Sequence, residues 1–233
     1  MITHLTDPEA FGSETLVIEG DAYRHLFRSR RVRNGAELRV VDGLGNARRG
    51  VVSSVSKTTA KVSLGRPIPS GEPTVQLELV VGALRPERAD FLVEKATELG
   101  AVAIRFLRTE RTPRRYGASR VGRWSRVAAS AVEQCHRSRL PDVTVHAEGE
   151  VVEILEGITR SRGRSFVLAP GGDGVLTSGA ADPIAVLVGP EGGFSADEMA
   201  RLRDLGAVSV DLGERVLRVE TAALAAASKL LLP

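Results

Sequence analysis

The sequence predicts an α/β protein in which a mostly parallel sheet domain follows a small β-barrel. Three observations carry that expectation. Residues 15–65 alternate apolar and polar side chains with the two-residue period of strands. GRPIPSGEP, residues 65–73, gathers Gly, Pro and Ser as a linker does. Beyond it, apolar strand-like runs alternate with amphipathic helical stretches, the pattern of an α/β domain.

In the first segment, ELRVVD and RRGVVSSV flank GLGN, a turn sequence suited to a hairpin, and AKVSL continues the alternation. The linker sets a first domain over residues 1–70 and a second over 73–233. TVQLELVVGAL opens the second as a buried strand. RPERADFLVEKATELG follows as a helix, with Pro86 near its first turn, Gly100 past its end and an apolar stripe of Ala89, Leu92, Val93, Ala96 and Leu99. VAIRFL is a strand and RVGRWSRVAASAVEQCHRSR a longer helix. VTVHA, SFVLAP, IAVLVG and VSVDL are further strands, with helices at EVVEILEGI and SADEMARLRDL.

Composition narrows the function classes. Of 233 residues, 42% are hydrophobic and only 4% aromatic, so the core is built from Val, Leu, Ile and Ala. The lone Cys135 excludes an internal disulfide and suits a reducing compartment. MITHLTDPEAF lacks a secretory pattern, and no apolar run nears the ~20 residues that span a bilayer, so a cytoplasmic protein with no membrane partner is expected. Net charge is only +3, but the arginines cluster. Arg24, Arg28, Arg30, Arg31, Arg33, Arg39, Arg48 and Arg49 crowd one segment; Arg105, Arg108, Arg111, Arg114, Arg115, Arg120, Arg123 and Arg126 crowd another. Arginine forks match phosphate geometry, so the clusters point to nucleic acid, although a general preference for arginine over lysine accounts for part of them. The sequence has no H-E-x-x-H and no Cys cluster, and no metal is expected. G-x-S-x-G, G-x-G-x-x-G and G-K-[ST] are also absent. His4, His25, His136 and His146 fall outside the glycine-rich turns and are read as surface or barrel residues.

In open α/β sheets, ligands bind beyond the carboxyl ends of strands. APGGDG (169–174), GPEGG (189–193) and LGERVLRVETA (212–222) occupy that place. Ser195 and Glu198 form a capping box that engages donors at the following helix start, leaving the preceding loop to offer amides and carbonyls sideways. Taken singly, each turn serves equally well as a tight turn.

Together the turns match a family. VGPEGGFSADEMARLRDLGAVSVDLGERVLRVETAALAA resembles the last motif block of the knotted SPOUT methyltransferases, and within them the bacterial family that methylates N3 of a uridine in 16S ribosomal RNA. HLFRSRRVRNGAELRVVDGLGN is similar to that family's amino-terminal barrel motif, ERADFLVEKATELGAVAIRFLRTER to its first helix and strand, and AVEQCHRSRLPDV to its central helix. Two departures stand out: His136 replaces a usually small residue, and Ser29-Arg30-Arg31 replaces Val-Leu-Arg.

The resemblance implies a PUA-like RNA-binding barrel before a trefoil-knotted domain that binds S-adenosylmethionine. It implies cofactor contacts from Leu168, Ala169, Pro170 and Gly171, from Gly189, Pro190, Glu191 and Gly192, and from Leu212, Gly213, Val216, Leu217, Arg218 and Thr221. A β-branched residue at Gly192 is expected to intrude on the ligand. Arg218 is the candidate to stabilise the anion left when the uracil N3 proton departs. Glu220 either accepts that proton or orients Arg218, and Thr221 is expected to cap the last helix rather than act on substrate. Arg28, Arg30 and Arg31 of the barrel, with Arg123, Arg126, Gln134 and Arg137 on one face of the central helix, are the candidate RNA contacts. AALAAASKLLL, apolar on nearly every side, predicts a homodimer. The expected substrate is 16S rRNA within the small ribosomal subunit. A knotted methyltransferase of another RNA such as tRNA, or a non-catalytic RNA-binding module, are the rival readings.

Overall fold

The computed structural model describes residues 1–112, 116–147, 150–160, 163–178 and 183–232; Arg114 and Arg115 of the second arginine cluster lie outside them. The chain forms two compact units, Met1–Glu72 with Val132–Leu140, and Pro73–Ala131 with Pro141–Pro233.

The first unit runs β1 (Ile2–Leu5), α1 (Pro8–Phe11), β2 (Thr15–Ile18) and α2 (Gly20–Tyr23), which continues as a π-helical turn over Arg24–Ser29. β3 (Glu37–Val41), β4 (Ala47–Val55) and β5 (Ala60–Ile68) follow. They make a five-stranded sheet in the order β1-β3-β4-β5-β2, with β1 parallel to β3 and the other pairs antiparallel. The expected hairpin closes with Val41 opposite Ala47. Asp42 holds its turn: one carboxylate oxygen accepts the Leu44 and Asn46 amides at 2.8 and 2.9 Å, the other the Asn46 side chain at 2.7 Å. Leu38, Val40 and Val62 point inward with Tyr23 and Phe27, whose rings stack 5.2 Å apart. β1 lies outside the stretch read as β structure from sequence, because four residues are too few to display a period.

The second unit runs β6 (Leu77–Gly82), α3 (Pro86–Leu99), β7 (Ala103–Leu107), α4 (Ala118–Cys135), β8 (Asp142–His146), α5 (Val151–Arg160), β9 (Arg164–Leu168), β10 (Ile184–Val188), α6 (Ala196–Asp204), β11 (Val208–Val210) and α7 (Val219–Leu231). The last turn of α4, from Val132, groups with the first unit. The six strands form one sheet, β11-β9-β10-β6-β7-β8, and every described pair is parallel. All five residues of β10 are buried, as suits a central strand covered on both faces. α3 starts on Pro86 and stops at Gly100, which takes the left-handed φ of 113° and donates its amide to Ala96 and Thr97. Ala89, Leu92, Val93 and Ala96 are buried as the stripe requires, and burying a Leu or Val contributes about 1.5–3 kcal/mol. α7 packs against α3 and buries Ala222, Ala223, Ala226, Ala227 and Leu230. The α6 capping box is present in both directions.

Candidate active site

The carboxyl ends of three neighbouring strands, β11, β9 and β10, open into a cavity of about 690 Å³, within the size range of small-molecule sites. Leu168, Ala169 and Pro170 line it after β9, Gly189 to Gly193 after β10, and Leu212 to Arg218 after β11. The three turns singled out in the sequence thus converge on one space. Each carries a glycine in the left-handed region: Gly171 at φ 74°, Gly193 at 68° and Gly213 at 112°. Leu168, Val188, Met199, Val210 and Leu217 supply apolar walls.

Three clamps fix the loops, and each belongs to a residue that motif reading did not assign to the site. Asp211 accepts the Gly171 amide at 2.7 Å on one oxygen and the Gly213 amide at 2.9 Å on the other, so one carboxylate ties the first turn to the third. Hydrogen bonds from Gly171, Gly213 and Leu212 hold that carboxyl below the usual aspartate range. Arg111 donates to the Gly192 carbonyl at 2.9 Å. Gly82, at the end of β6, leaves room for Pro190: a Cβ there would collide with the proline's nitrogen and lie 2.7 Å from its Cδ. No short-range motif signals any of the three, because each bridges residues remote in sequence or adds only a lone glycine.

Gly171 serves this scaffold and is not part of the cavity wall. At Gly192 the protein itself leaves room for a Cβ, which would meet Arg111 carbons at 3.4 and 3.6 Å, ordinary contact, and its φ is not left-handed. The expected cap is corrected: Arg218 occupies the N-cap of α7, no side chain caps that end, and Thr221 is exposed outside the cavity lining. Arg218 is exposed and lines the cavity. Glu220 is buried. Its Oε1 lies 3.6 Å from Nε of Arg88, a cavity-lining residue of α3, and its Oε2 has no partner among the described residues. No ion pair joins Glu220 to Arg218 among the described residues, so the orienting contact expected there goes to Arg88 instead. None of the four histidines lines the cavity.

The arginine clusters divide by environment. Arg30, Arg31, Arg33 and Arg126 are exposed, as is Gln134. Arg28, also exposed, donates to the Lys57 carbonyl at 2.8 Å with its guanidinium 5.9 Å from the Tyr23 ring centre. Arg123 is held by Asp90 at 2.8 Å. Arg48 clamps the carbonyls of Phe11, Ser13, Leu64 and Gly65, and Arg105 bridges to Glu78 at 2.7 Å. Arg137 departs furthest from the sequence reading. α4 ends at Cys135, so Arg137 is off the helical face; its side chain is 5% exposed and donates to Glu72 at 2.7 and 3.0 Å. Burial works to raise the Glu72 carboxyl, but Arg137 and the Ser138 and Arg139 amides outweigh it and leave it lowered.

Among the described residues no group of three or more His, Cys, Asp or Glu could hold a metal ion, and no helix is long and apolar enough to cross a membrane.

A model of an RNA methyltransferase domain matches residues 71–231, and one of an RNA methyltransferase PUA domain matches 18–65. The Ribosomal RNA small subunit methyltransferase E of Mycobacterium bovis is 34% identical over 221 residues, 90% of this chain and 83% of that protein. Its Bacillus subtilis namesake is 24% identical, across 96% and 92%. Among solved structures, a Ribosomal RNA small subunit methyltransferase E from Neisseria gonorrhoeae bound to S-adenosyl methionine superposes with a TM-score of 0.83 at 27% identity, over 98% of this chain and 95% of that one. The matched domain model, the extent of the 34% identity and the shared architecture together make this chain a member of the ribosomal RNA small subunit methyltransferase E family of RNA methyltransferases.

Proposed function

We propose that the protein transfers a methyl group from S-adenosylmethionine to N3 of a specific uridine in 16S rRNA of the small ribosomal subunit. The observation that carries this reading is the convergence of three glycine-bearing turns on one cavity at the carboxyl ends of β9, β10 and β11. The residues fit an adenosyl ligand. Leu168, Val188, Met199, Val210 and Leu217 give the cavity an apolar wall, the glycine turns bring bare backbone to its lining, and Gly82 makes room for the Pro190 loop. The related Neisseria protein was solved with S-adenosyl methionine bound. When bound, S-adenosylmethionine supplies an electrophilic methyl group.

The chain's own groups then align and stabilise. Arg218, exposed at the N-cap of α7 on the cavity wall, sits where a guanidinium can neutralise the charge spreading to O2 and O4 of a deprotonated uracil. Glu220 supports the site through Arg88, and its buried Oε2 argues against its taking the uracil proton directly. Residues 1–70 serve as the RNA-binding domain and 73–233 as the catalytic one, with the late turns in a trefoil knot. Arg28, Arg30, Arg31, Arg123, Arg126 and Gln134 supply the RNA contacts. The working form is a homodimer in the cytoplasm; Leu224 and Ala225 on the outer part of α7, and Leu232 just past its end, retain the exposure a partner helix would cover.

The test uses S-adenosylmethionine labelled on its methyl group, with assembled small subunits, protein-free 16S rRNA and tRNA offered separately. Label entering the subunit's rRNA as 3-methyluridine is the expected result. Label on tRNA, or on a ribose 2′-oxygen, would refute the substrate assignment.

A further inference from the structure

Arg88 and Glu220 form an ion pair with unmet valences on both sides. The pair spans α3 and the first turn of α7, and Arg88 reaches the cavity wall. Glu220 is 8% exposed, yet its Oε2 is sealed without a donor. The Arg88 side chain keeps 28% of its exposure, and its sole ionic partner is the Glu220 oxygen at 3.6 Å from Nε, so both terminal amino groups lack an acceptor among the described residues. Withdrawing a guanidinium from water is unfavourable unless its donors are met, and a planar fork is met best by a carboxylate, two parallel bonds to two oxygens.

The other charged groups on the wall differ. Asp211 is committed to two backbone amides, while Glu191, Glu214, Arg215 and Arg218 are exposed to solvent. Arg88 is the half-buried cation, held in place by a buried carboxylate. Resting on the cofactor reading above, we infer that the Nη groups of Arg88 bind the α-carboxylate of the cofactor's methionyl end, with Glu220 positioning the guanidinium. That carboxylate is the one anionic group the ligand carries. The pair therefore orients the amino-acid end of the ligand while the glycine turns hold the adenosyl end.

The experiment compares S-adenosylmethionine with decarboxylated S-adenosylmethionine, which keeps the sulfonium and the ammonium and lacks only the carboxylate. Affinities are measured by calorimetry on the full chain. Wild type is expected to prefer the carboxylated ligand by roughly 10- to 100-fold, the value of a charge-assisted hydrogen-bonded pair. Arg88→Met with Glu220→Gln removes both charges without leaving either buried alone, and should bring that preference close to unity while affinity for the decarboxylated ligand holds. Glu220→Gln alone should reduce the preference in part. A preference that survives in the double variant, or a wild type that does not discriminate, overturns the inference. Wild type that binds neither ligand would instead overturn the cofactor reading itself, and the inference with it.

Discussion

Gly82→Ala should damage the cofactor site from outside it. The added methyl would sit at the position Pro190 already occupies, 2.7 Å from its Cδ and 2.9 Å from its Cα. Relieving those contacts to about 3.5–4 Å requires the proline to move by about an ångström, since carbon atoms pack at that separation. Neither side yields easily. Gly82 ends a strand flanked by β10 and β7, and Pro190 opens the loop whose Gly192 carbonyl is clamped by Arg111. Overpacking of this kind costs about 1–3 kcal/mol. For a chain of this size the cost corresponds to a fall in Tm of about 3–10 °C. If half of the strain displaces the loop, the Kd for S-adenosylmethionine rises roughly 2- to 12-fold. Differential scanning calorimetry and isothermal titration read the two quantities. Gly192→Ala is the control: its Cβ meets Arg111 in ordinary contact, so the Tm should hold. A Gly82→Ala protein with unchanged Tm and unchanged affinity would refute the claim that the β6 terminus supports this loop.

Asp211→Asn replaces one of two amide-accepting oxygens with a donor, so cofactor affinity should fall several-fold. Because the folded pKa of Asp211 is lowered, the wild-type clamp is complete above the ordinary aspartate value of about 3.9 and is lost only as pH falls through the depressed one. Wild-type affinity should therefore stay flat from neutral pH down to about 4, and the defect of the Asn variant should be constant over that range. Arg218→Ala should lower turnover roughly 100-fold or more with little change in cofactor Kd, seen in single-turnover kinetics. Arg126→Ala should weaken RNA binding and reduce its salt dependence. Arg137→Ala should instead destabilise the fold by roughly 3 kcal/mol, by leaving Glu72 buried without its cation, as urea titration would show.

Legibility followed the range of the physics. Period and punctuation are local, so the α/β alternation, Pro86 and Gly100 at the ends of α3, and the Ser195–Glu198 box were all readable in the chain. The three turns were readable for the same reason, since strand, glycine and helix start lie within a few residues. Arg88, Gly82 and Asp211 were not, because each matters through a partner brought near only by the fold. Arginine clustering misled in part: a guanidinium that clamps carbonyls, as Arg48 does, is indistinguishable in sequence from one that awaits a phosphate. The return of Val132–Leu140 to the first unit also leaves no local mark. His136 carries a physical trace of its own: it holds a φ of 64°, a conformation that costs a side chain roughly 1 kcal/mol.

The most direct measurement is reverse transcription across 16S rRNA taken from small subunits lacking the mark, after incubation with the protein and S-adenosylmethionine. A methyl on N3 blocks the Watson–Crick face of uridine. One new stop, a nucleotide before a single uridine, absent without cofactor and largely lost with Arg218→Ala, is the predicted result. Uninterrupted extension across the whole rRNA, with the methyl group recovered on a tRNA or on no RNA, would contradict the account.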